Sequence, residues 1–338
     1  MSIWVDANGW PIPPMVLLGC LVAEILYFRG WRVLVKAEQA KDAERASSPE
    51  RAGSPSSPSS YTAIYRWDSW LWRGIYFLIA IFIALVGDSA PVDILSGRFF
   101  WVHMIQHLLL LVVMAPLLVA AAPLLPLWLG LPDWARTGAM NCAPMKVGRV
   151  FYQIGHRVGQ WVRQPAVSCV LLIAGIWIWH WPTLYDLALT NEAIHDWCEH
   201  LTFLAVSILF WTQVIPSPLL RPRLGYIGQM VCVGVAIAQN VVLAVLLGFA
   251  QVSLYAPYAH LAAVSGGFSA LQDQQLGAGI MWTFGDLPFG IALAALLHRW
   301  LVSTTEQSDD QGEGNVGQKG RGDPCGRPAQ KSAQTRIW

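Results

Sequence analysis

Residues 101–124 read WVHMIQHLLLLVVMAPLLVAAAPL and contain no Lys, Arg, Asp or Glu. Crossing the hydrocarbon core of a membrane takes about 20 mostly apolar residues, so this run is long enough to span it. In lipid every backbone N–H and C=O must be paired within its own segment or in a closed barrel, and long uninterrupted apolar runs favour helices. The stretch therefore predicts a transmembrane α-helix that carries two histidines in its first half.

Comparable apolar windows lie on both sides of this run. The predicted spans lie near residues 12–29, 70–88, 99–122, 165–182, 197–215, 225–250 and 276–301. The composition agrees, because 55% of the 338 residues are hydrophobic and only 13% are charged, which is too apolar for an ordinary soluble domain. We expect an all-α, polytopic bundle of about seven spans embedded in the lipid bilayer, with no nucleic-acid partner.

Polar segments divide the chain into four parts. Residues 1–35 are predicted to form an N-terminal transmembrane helix that is retained, because the first basic residue, Arg29, follows the apolar stretch instead of preceding it. The Ser- and Pro-containing residues 36–66 are predicted to be a flexible cytoplasmic linker. A six-helix transmembrane core covers residues 67–303, and the polar residues 304–338 are expected to be a disordered cytoplasmic tail. Within the core, residues 123–164 are predicted to form a long loop with a surface-lying helix around 145–163.

The basic residues predict the orientation of the bundle. Lys and Arg concentrate in cytoplasmic loops, and of the 22 in this chain only Arg98 falls on the opposite side when the N-terminus is placed outside. We therefore expect the N-terminus and the loop of residues 183–196 to be extracytoplasmic, and the C-terminus to be cytoplasmic.

Five histidines gather near the predicted outer ends of the spans. His103 and His107 lie in the outer half of the third span, His180 at the outer end of the fourth, and His195 and His200 at the start of the fifth. Ionisable side chains are costly to bury in a membrane and mark a functional site by default. Their shared depth predicts a metal or cofactor site, although polar residues can also serve only to join helices by hydrogen bonds.

Spacing within this group predicts individual roles. His103 and His107 are four residues apart and lie on one helix face, about 6 Å apart along the axis, so one metal ion can bridge them. His195 and His200 are five residues apart, so we expect them to share a helix face only if His195 lies in the preceding loop. Asp196, four residues before His200, is predicted to orient that ring. Three more polar side chains at this depth are predicted to bind the cofactor: Asp273, Gln274 and Gln275.

Four runs resemble, in combination and order, the CtaG family of caa3-type cytochrome c oxidase assembly factors. They are HMIQHLLLLVVMAPLLVAAAPL (103–124), WHWPTLYDLAL (179–189), HDWCEHLTFLAVSILFWTQVI (195–215) and DQQLGAGIMW (273–282), within a similarity that covers about residues 60–302. The resemblance implies a multi-pass protein of the bacterial cytoplasmic membrane that is needed to mature a haem-copper oxidase together with its subunits, with copper handling as the usual suggestion. Carried over, it points to the positions already collected: His103, His107, His180, His195, His200, Asp273, Gln274 and Gln275.

Three functions therefore remain open. The leading one is an assembly factor that binds copper transiently at the outer face through the histidines and passes it to an oxidase subunit. A b-type haem protein that moves electrons would use paired histidines as axial ligands. A cofactor-free scaffold would use the same polar cluster only to dock a partner helix. The sequence contains no GxSxG, P-loop or HExxH motif, so we do not expect an enzyme.

Overall fold

The structure, a computed structural model, describes residues 11–47, 69–142, 156–259 and 269–319. Within these ranges all regular elements are helices, which confirms the predicted all-α class. We number them in chain order as follows: α1 Pro14–Ser47, α2 Trp70–Gly87, α3 Ala90–Ser96, α4 Phe100–Ala121, α5 Leu124–Gly130, α6 Asp133–Cys142, α7 His156–Val162, α8 Pro165–Trp179, α9 Pro182–Thr190, α10 192–211, α11 Tyr226–Gly248 and α12 270–319.

A helix occupies each predicted span, but the helices differ in length. Among the described residues five are long and apolar enough to cross a membrane, namely α1, α2, α4, α11 and the Ala270–Thr305 part of α12. Helix α8 has only 15 residues and forms a sixth candidate together with α7, from which it is bent by 76°. The structure is that of a multi-pass membrane protein with five or six candidate spans by length, compared with the seven expected from hydropathy.

Two helices continue past predicted domain boundaries. Helix α1 continues to Ser47 beyond the expected start of the linker at residue 36, because the intervening Lys, Ala, Glu and Gln residues are strong helix formers. Helix α12 continues to Lys319 beyond the expected start of the tail at residue 304, and extending an existing helix avoids the cost of nucleation. The remainder of the predicted linker and tail, residues 48–68 and 320–338, lies outside the described residues.

The predicted long loop of residues 123–164 instead contains helices α5, α6 and α7. Residues 143–155 lie outside the description, so α7 is the described part of the helix expected around 145–163, and its position on the membrane surface stays a prediction. Helix α5 packs backbone to backbone on α1: a Cβ added to Gly30 would lie 2.0 Å from the carbonyl oxygen of Pro126, and one added to Gly130 would lie 1.8 Å from that of Leu26. Glycine is required at both positions because no side chain fits there.

Three helices contain one π turn each: Leu109–Met114 in α4, His195–His200 in α10 and Met281–Gly285 in α12. Such turns close i→i+5 hydrogen bonds and are frequent at functional sites. Side chains of neighbouring helices bond to carbonyl groups within two of them. The carbonyl of Leu111 accepts hydrogen bonds from Ser207 and Trp211, and that of Met281 accepts one of 2.9 Å from Asn240. These bonds join α4 to α10 and α12 to α11.

Candidate metal centre

Four buried side chains meet between α4 and α10. His103 and His107 come from the first turns of α4, and His195 and Glu199 come from the π turn of α10. One potential ligand atom from each side chain lies within 4.8 Å of those of the other three. The ring centroid of His103 lies 4.2 Å from that of His107 and 5.0 Å from that of His195. We call these four residues the metal centre.

The π turn explains how α10 supplies two of these ligands and a third imidazole. The ring centroids of His195 and His200 lie 4.2 Å apart, although both residues are helical. The prediction that they share a face only with His195 in a loop was wrong, because a π turn places residues five apart on the same side. His200 also lies 5.4 Å from His107, ring to ring, so the two predicted pairs of histidines form one cluster.

Most polar atoms of this cluster have no hydrogen-bond partner among the described residues. These atoms are both ring nitrogens of His103 and His107, Nε2 of His195 and of His200, and both carboxylate oxygens of Glu199. The nearest approach of opposite type, from His107 Nε2 to Glu199 Oε1, is 3.6 Å, which is too long for a hydrogen bond. Each buried polar group left unpaired costs about 1–3 kcal/mol. A metal ion that binds nitrogen and oxygen atoms at about 2.0–2.2 Å would satisfy several of them at once.

Comparison with known protein families assigns the chain to one of them. A family model described as the cytochrome c oxidase caa3 assembly factor (Caa3_CtaG) matches residues 61–303, which include the whole metal centre. The chain belongs to this assembly-factor family.

Two curated relatives from mycobacteria are similar to this chain. They are "Uncharacterized protein Mb0105" of Mycobacterium bovis (strain ATCC BAA-935 / AF2122/97) and "Uncharacterized protein MT0111" of Mycobacterium tuberculosis (strain CDC 1551 / Oshkosh), each 25% identical over 242 residues. The alignment covers 70% of this chain and 35% of each relative, so the chain spans about a third of the length of the curated relatives it matches. No solved structure matches the chain.

Two further carboxylates lie beside the histidine cluster, each next to a different imidazole ring. Asp196 Oδ1 lies 3.0 Å from His195 Nδ1, which leaves Nε2 of that ring available to a ligand. Asp88 Oδ1, just after α2, lies 3.7 Å from His200 Nδ1. Asp196 also forms a second group with His195 and His200, whose potential ligand atoms all lie within 4.8 Å of one another, so its orienting role toward His200 stays a prediction. Burial raises the pKa of Asp93, on the short helix α3, to about 6, although His195 opposes the rise.

His180 lies beside the metal centre and not within it. Its Nδ1 donates a 2.8 Å hydrogen bond to the carbonyl oxygen of Ile176 in its own helix. Its ring centroid lies 6.4 Å from that of Phe203, which in turn lies 4.7 Å from that of His107. Phe203 thus packs against both rings, and His180 is not among the described side chains whose potential ligand atoms lie within 4.8 Å of one another. Its predicted role as a metal ligand gains no support from these distances.

Three predicted cofactor-binding side chains do not join the histidines. Asp273 and Gln274 form hydrogen bonds to backbone groups, and Gln275 is exposed. The carboxylate of Asp273 accepts hydrogen bonds of 2.8 and 3.1 Å from the backbone N–H groups of Phe100 and Trp101, at the start of α4. The first N–H groups of a helix have no partner within the helix, so a carboxylate there is strongly favoured. Gln274 bonds to backbone groups on both sides of the α11 terminus, and Gln275 is exposed. Asp273 therefore has a positioning role, because it holds the start of α4, the helix that carries His103.

The sequence reasoning missed Glu199 and Asp88. Glu199 was detectable, because it is an acidic residue within the predicted span 197–215, and such residues are as costly to bury as histidines. It also lies four residues after His195. Asp88 gave a weaker signal, because it is the last residue of the predicted span 70–88, where a charged side chain can reach the membrane surface.

Proposed function

We propose that this assembly factor binds a copper ion at the metal centre and passes it to a subunit of the caa3-type oxidase. The observation that carries the proposal is the group of four buried side chains whose ligand atoms lie within 4.8 Å of one another and, except for His195 Nδ1, have no hydrogen-bond partner among the described residues. Imidazole and carboxylate bind several transition metals. Copper is favoured among these because the family is described by its part in assembling cytochrome c oxidase, a haem-copper enzyme.

The position of the metal centre suits a carrier at the extracytoplasmic face of the bacterial cytoplasmic membrane. The distribution of Lys and Arg predicts that the histidine end of α4 lies on that side. The side chain of Asp196 is 38% exposed and contacts His195, so the cluster reaches the protein surface at this edge. A carrier must release its ion, and a partly accessible ligand set of His and Glu provides a route for transfer to another protein.

The two alternative functions are less well supported. A scaffold would use its polar side chains in interhelical hydrogen bonds, whereas the nitrogens of His103 and His107 make none to the described residues. A haem would need a flat space between two facing imidazoles. Here the neighbouring rings of the histidine cluster have centroids only 4.2–6.0 Å apart, an arrangement that favours one small ion.

Copper loading of the purified, detergent-solubilised protein tests the proposal. We expect one copper ion per chain in the wild type and loss of that ion in His107→Ala, with no Soret band in either sample. His298→Ala is a matched control, because His298 is an exposed histidine of α12. If the wild type binds no copper, or if His107→Ala binds it as tightly as His298→Ala, the proposed function is wrong.

A further inference from the structure

The potential ligands His195, Asp196 and His200 form a group of their own beside the metal centre. All three come from the π turn of α10, and one potential ligand atom from each lies within 4.8 Å of those of the other two. His195 is the residue that this group shares with the metal centre. We call these three residues the outer group. The π turn therefore carries ligands for two neighbouring positions of an ion.

The outer group is closer to the protein surface than the metal centre is. No residue of the metal centre is more than 6% exposed. In the outer group the side chain of Asp196 is 38% exposed. The side chain of Asp88 is 28% exposed, and its Oδ1 lies 3.7 Å from His200 Nδ1. An ion that approaches from this edge therefore meets carboxylates and the outer group before it reaches the buried ligands.

The outer group has the chemistry and the unpaired atoms to hold an ion. Nε2 of His195 and Nε2 of His200 have no hydrogen-bond partner among the described residues, although both residues are more than nine-tenths buried. Two imidazole nitrogens and a carboxylate oxygen are ligands that copper and other transition metals accept. Because Nδ1 of His195 contacts Asp196, we expect the two groups to compete for Nε2 of this ring and to hold one ion in turn.

We propose that the outer group is the entry and exit position of the copper ion, an inference that rests on the proposed function. The ion keeps His195 as a ligand and exchanges Asp196 and His200 for the other three residues of the metal centre. The ring of His195 suits this exchange, because its centroid lies 4.2 Å from that of His200 and 5.0 Å from that of His103. Stepwise exchange keeps the ion bound throughout and avoids the cost of moving a bare charge into a buried space. The ion keeps its charge, and release reverses the same steps.

An entry position has a kinetic signature that distinguishes it from a final ligand set. A residue that binds the ion only on its way changes the rates of uptake and release by the same factor, so the dissociation constant stays the same. A residue that binds the ion in its final position changes the dissociation constant, mostly through the rate of release. His200 is the residue to test, because it belongs to the outer group and not to the metal centre.

Stopped-flow transfer of Cu(I) from a coloured chelator complex to the purified, detergent-solubilised full chain measures uptake, and transfer back to excess chelator measures release. His200→Gln removes an imidazole of the outer group and keeps a polar side chain. We expect both rates to fall about tenfold, with one copper ion still bound per chain and an unchanged dissociation constant. Glu192→Gln removes a charge from an exposed position near the start of α10, and we expect it to exchange copper like the wild type.

A second variant covers the case in which His200→Gln does not fold. Asp196→Asn removes the carboxylate of the outer group from a partly exposed position, where packing is little disturbed. We expect its uptake of Cu(I) to be about tenfold slower than that of Glu192→Gln, which makes the same change of charge. Thermal melting of the metal-free variants shows which of them are folded.

Four results would overturn the proposal. Wild-type uptake rates in the folded outer-group variants would show that the ion does not pass through this group. Loss of bound copper from folded His200→Gln would make His200 a ligand of the final position. Two copper ions per wild-type chain would make the groups separate sites, and equal slowing in Glu192→Gln would show that only surface charge matters. The proposed function survives each of these results, whereas a wild type that binds no copper contradicts both proposals.

Discussion

Replacement of Glu199 by Gln keeps the shape of the side chain and removes only its charge. Glu199 is 1% exposed and is the one carboxylate in the metal centre. Two unit charges separated by about 2.1 Å, the length of a metal–oxygen bond, attract each other by about 2 kcal/mol even at the dielectric constant of bulk water. That minimum corresponds to about a 30-fold loss of affinity for Cu(I), and burial lowers the dielectric constant, so we expect a larger loss.

The metal-free protein should respond in the opposite sense. Both carboxylate oxygens of Glu199 lack hydrogen-bond partners among the described residues, so the neutral amide removes a burial cost. We expect Glu199→Gln to melt at the same temperature as the wild type or higher when copper is absent, and to gain less from added copper. Competition with a copper chelator and thermal melting measure the two effects. Glu192→Gln, at an exposed position near the start of α10, is the control. Unchanged copper affinity in Glu199→Gln, or a fall of several degrees in the metal-free midpoint, would refute this reasoning.

Three further predictions concern function, orientation and pH. His107→Ala should abolish maturation of the oxidase in cells while the protein remains inserted and abundant, because an interhelical hydrogen bond is worth only about 0.6 kcal/mol in a membrane bundle; normal oxidase activity would exclude a ligand role. Cysteines at positions 56 and 190 should be labelled from the cytoplasmic and extracytoplasmic sides respectively, and labelling of both from one side would overturn the topology. The pKa of Asp93 is about 6 in the folded protein against an ordinary value of 3.8, so the proton it retains stabilises the fold below about pH 4, and this contribution is lost as the pH rises to about 6. The melting midpoint of the wild type should therefore fall across this range relative to that of Asp93→Asn, and parallel curves would contradict the assignment.

Hydropathy and spacing were sufficient for part of this site. The apolar run around His103 and His107 predicted both the helix and the shared face of the two rings, because these follow from composition and the α-helical period. The shared depth of His195 and His200 followed from the order of the spans. The lateral approach of α4 to α10 did not, because packing order depends on contacts such as those that Ser207 and Trp211 make to one carbonyl.

Three other features could not be predicted from the sequence. Helix α5 is short and contains Pro126, and its stability comes from close contact with Gly30, which no local pattern records. Asp273 lies at the predicted depth, but its oxygens are used by the start of α4, a partner 172 and 173 residues away. The π turn of α10 differs from an α-helical turn by one residue, and its composition is compatible with either.

The π turn of residues 195–200 bears on how related proteins keep or lose a site of this kind. At about 100° per residue in a regular α-helix, two positions five apart point about 140° from each other, so the same sequence without the π turn would separate His195 from His200. Deleting one residue between them would remove the π turn, shorten the helix by about 1.5 Å and give the two histidines the i, i+4 spacing of His103 and His107, which keeps them on one face. A related protein can therefore hold an ion between these helices with either number of residues, provided that the helical geometry and the histidine spacing change together.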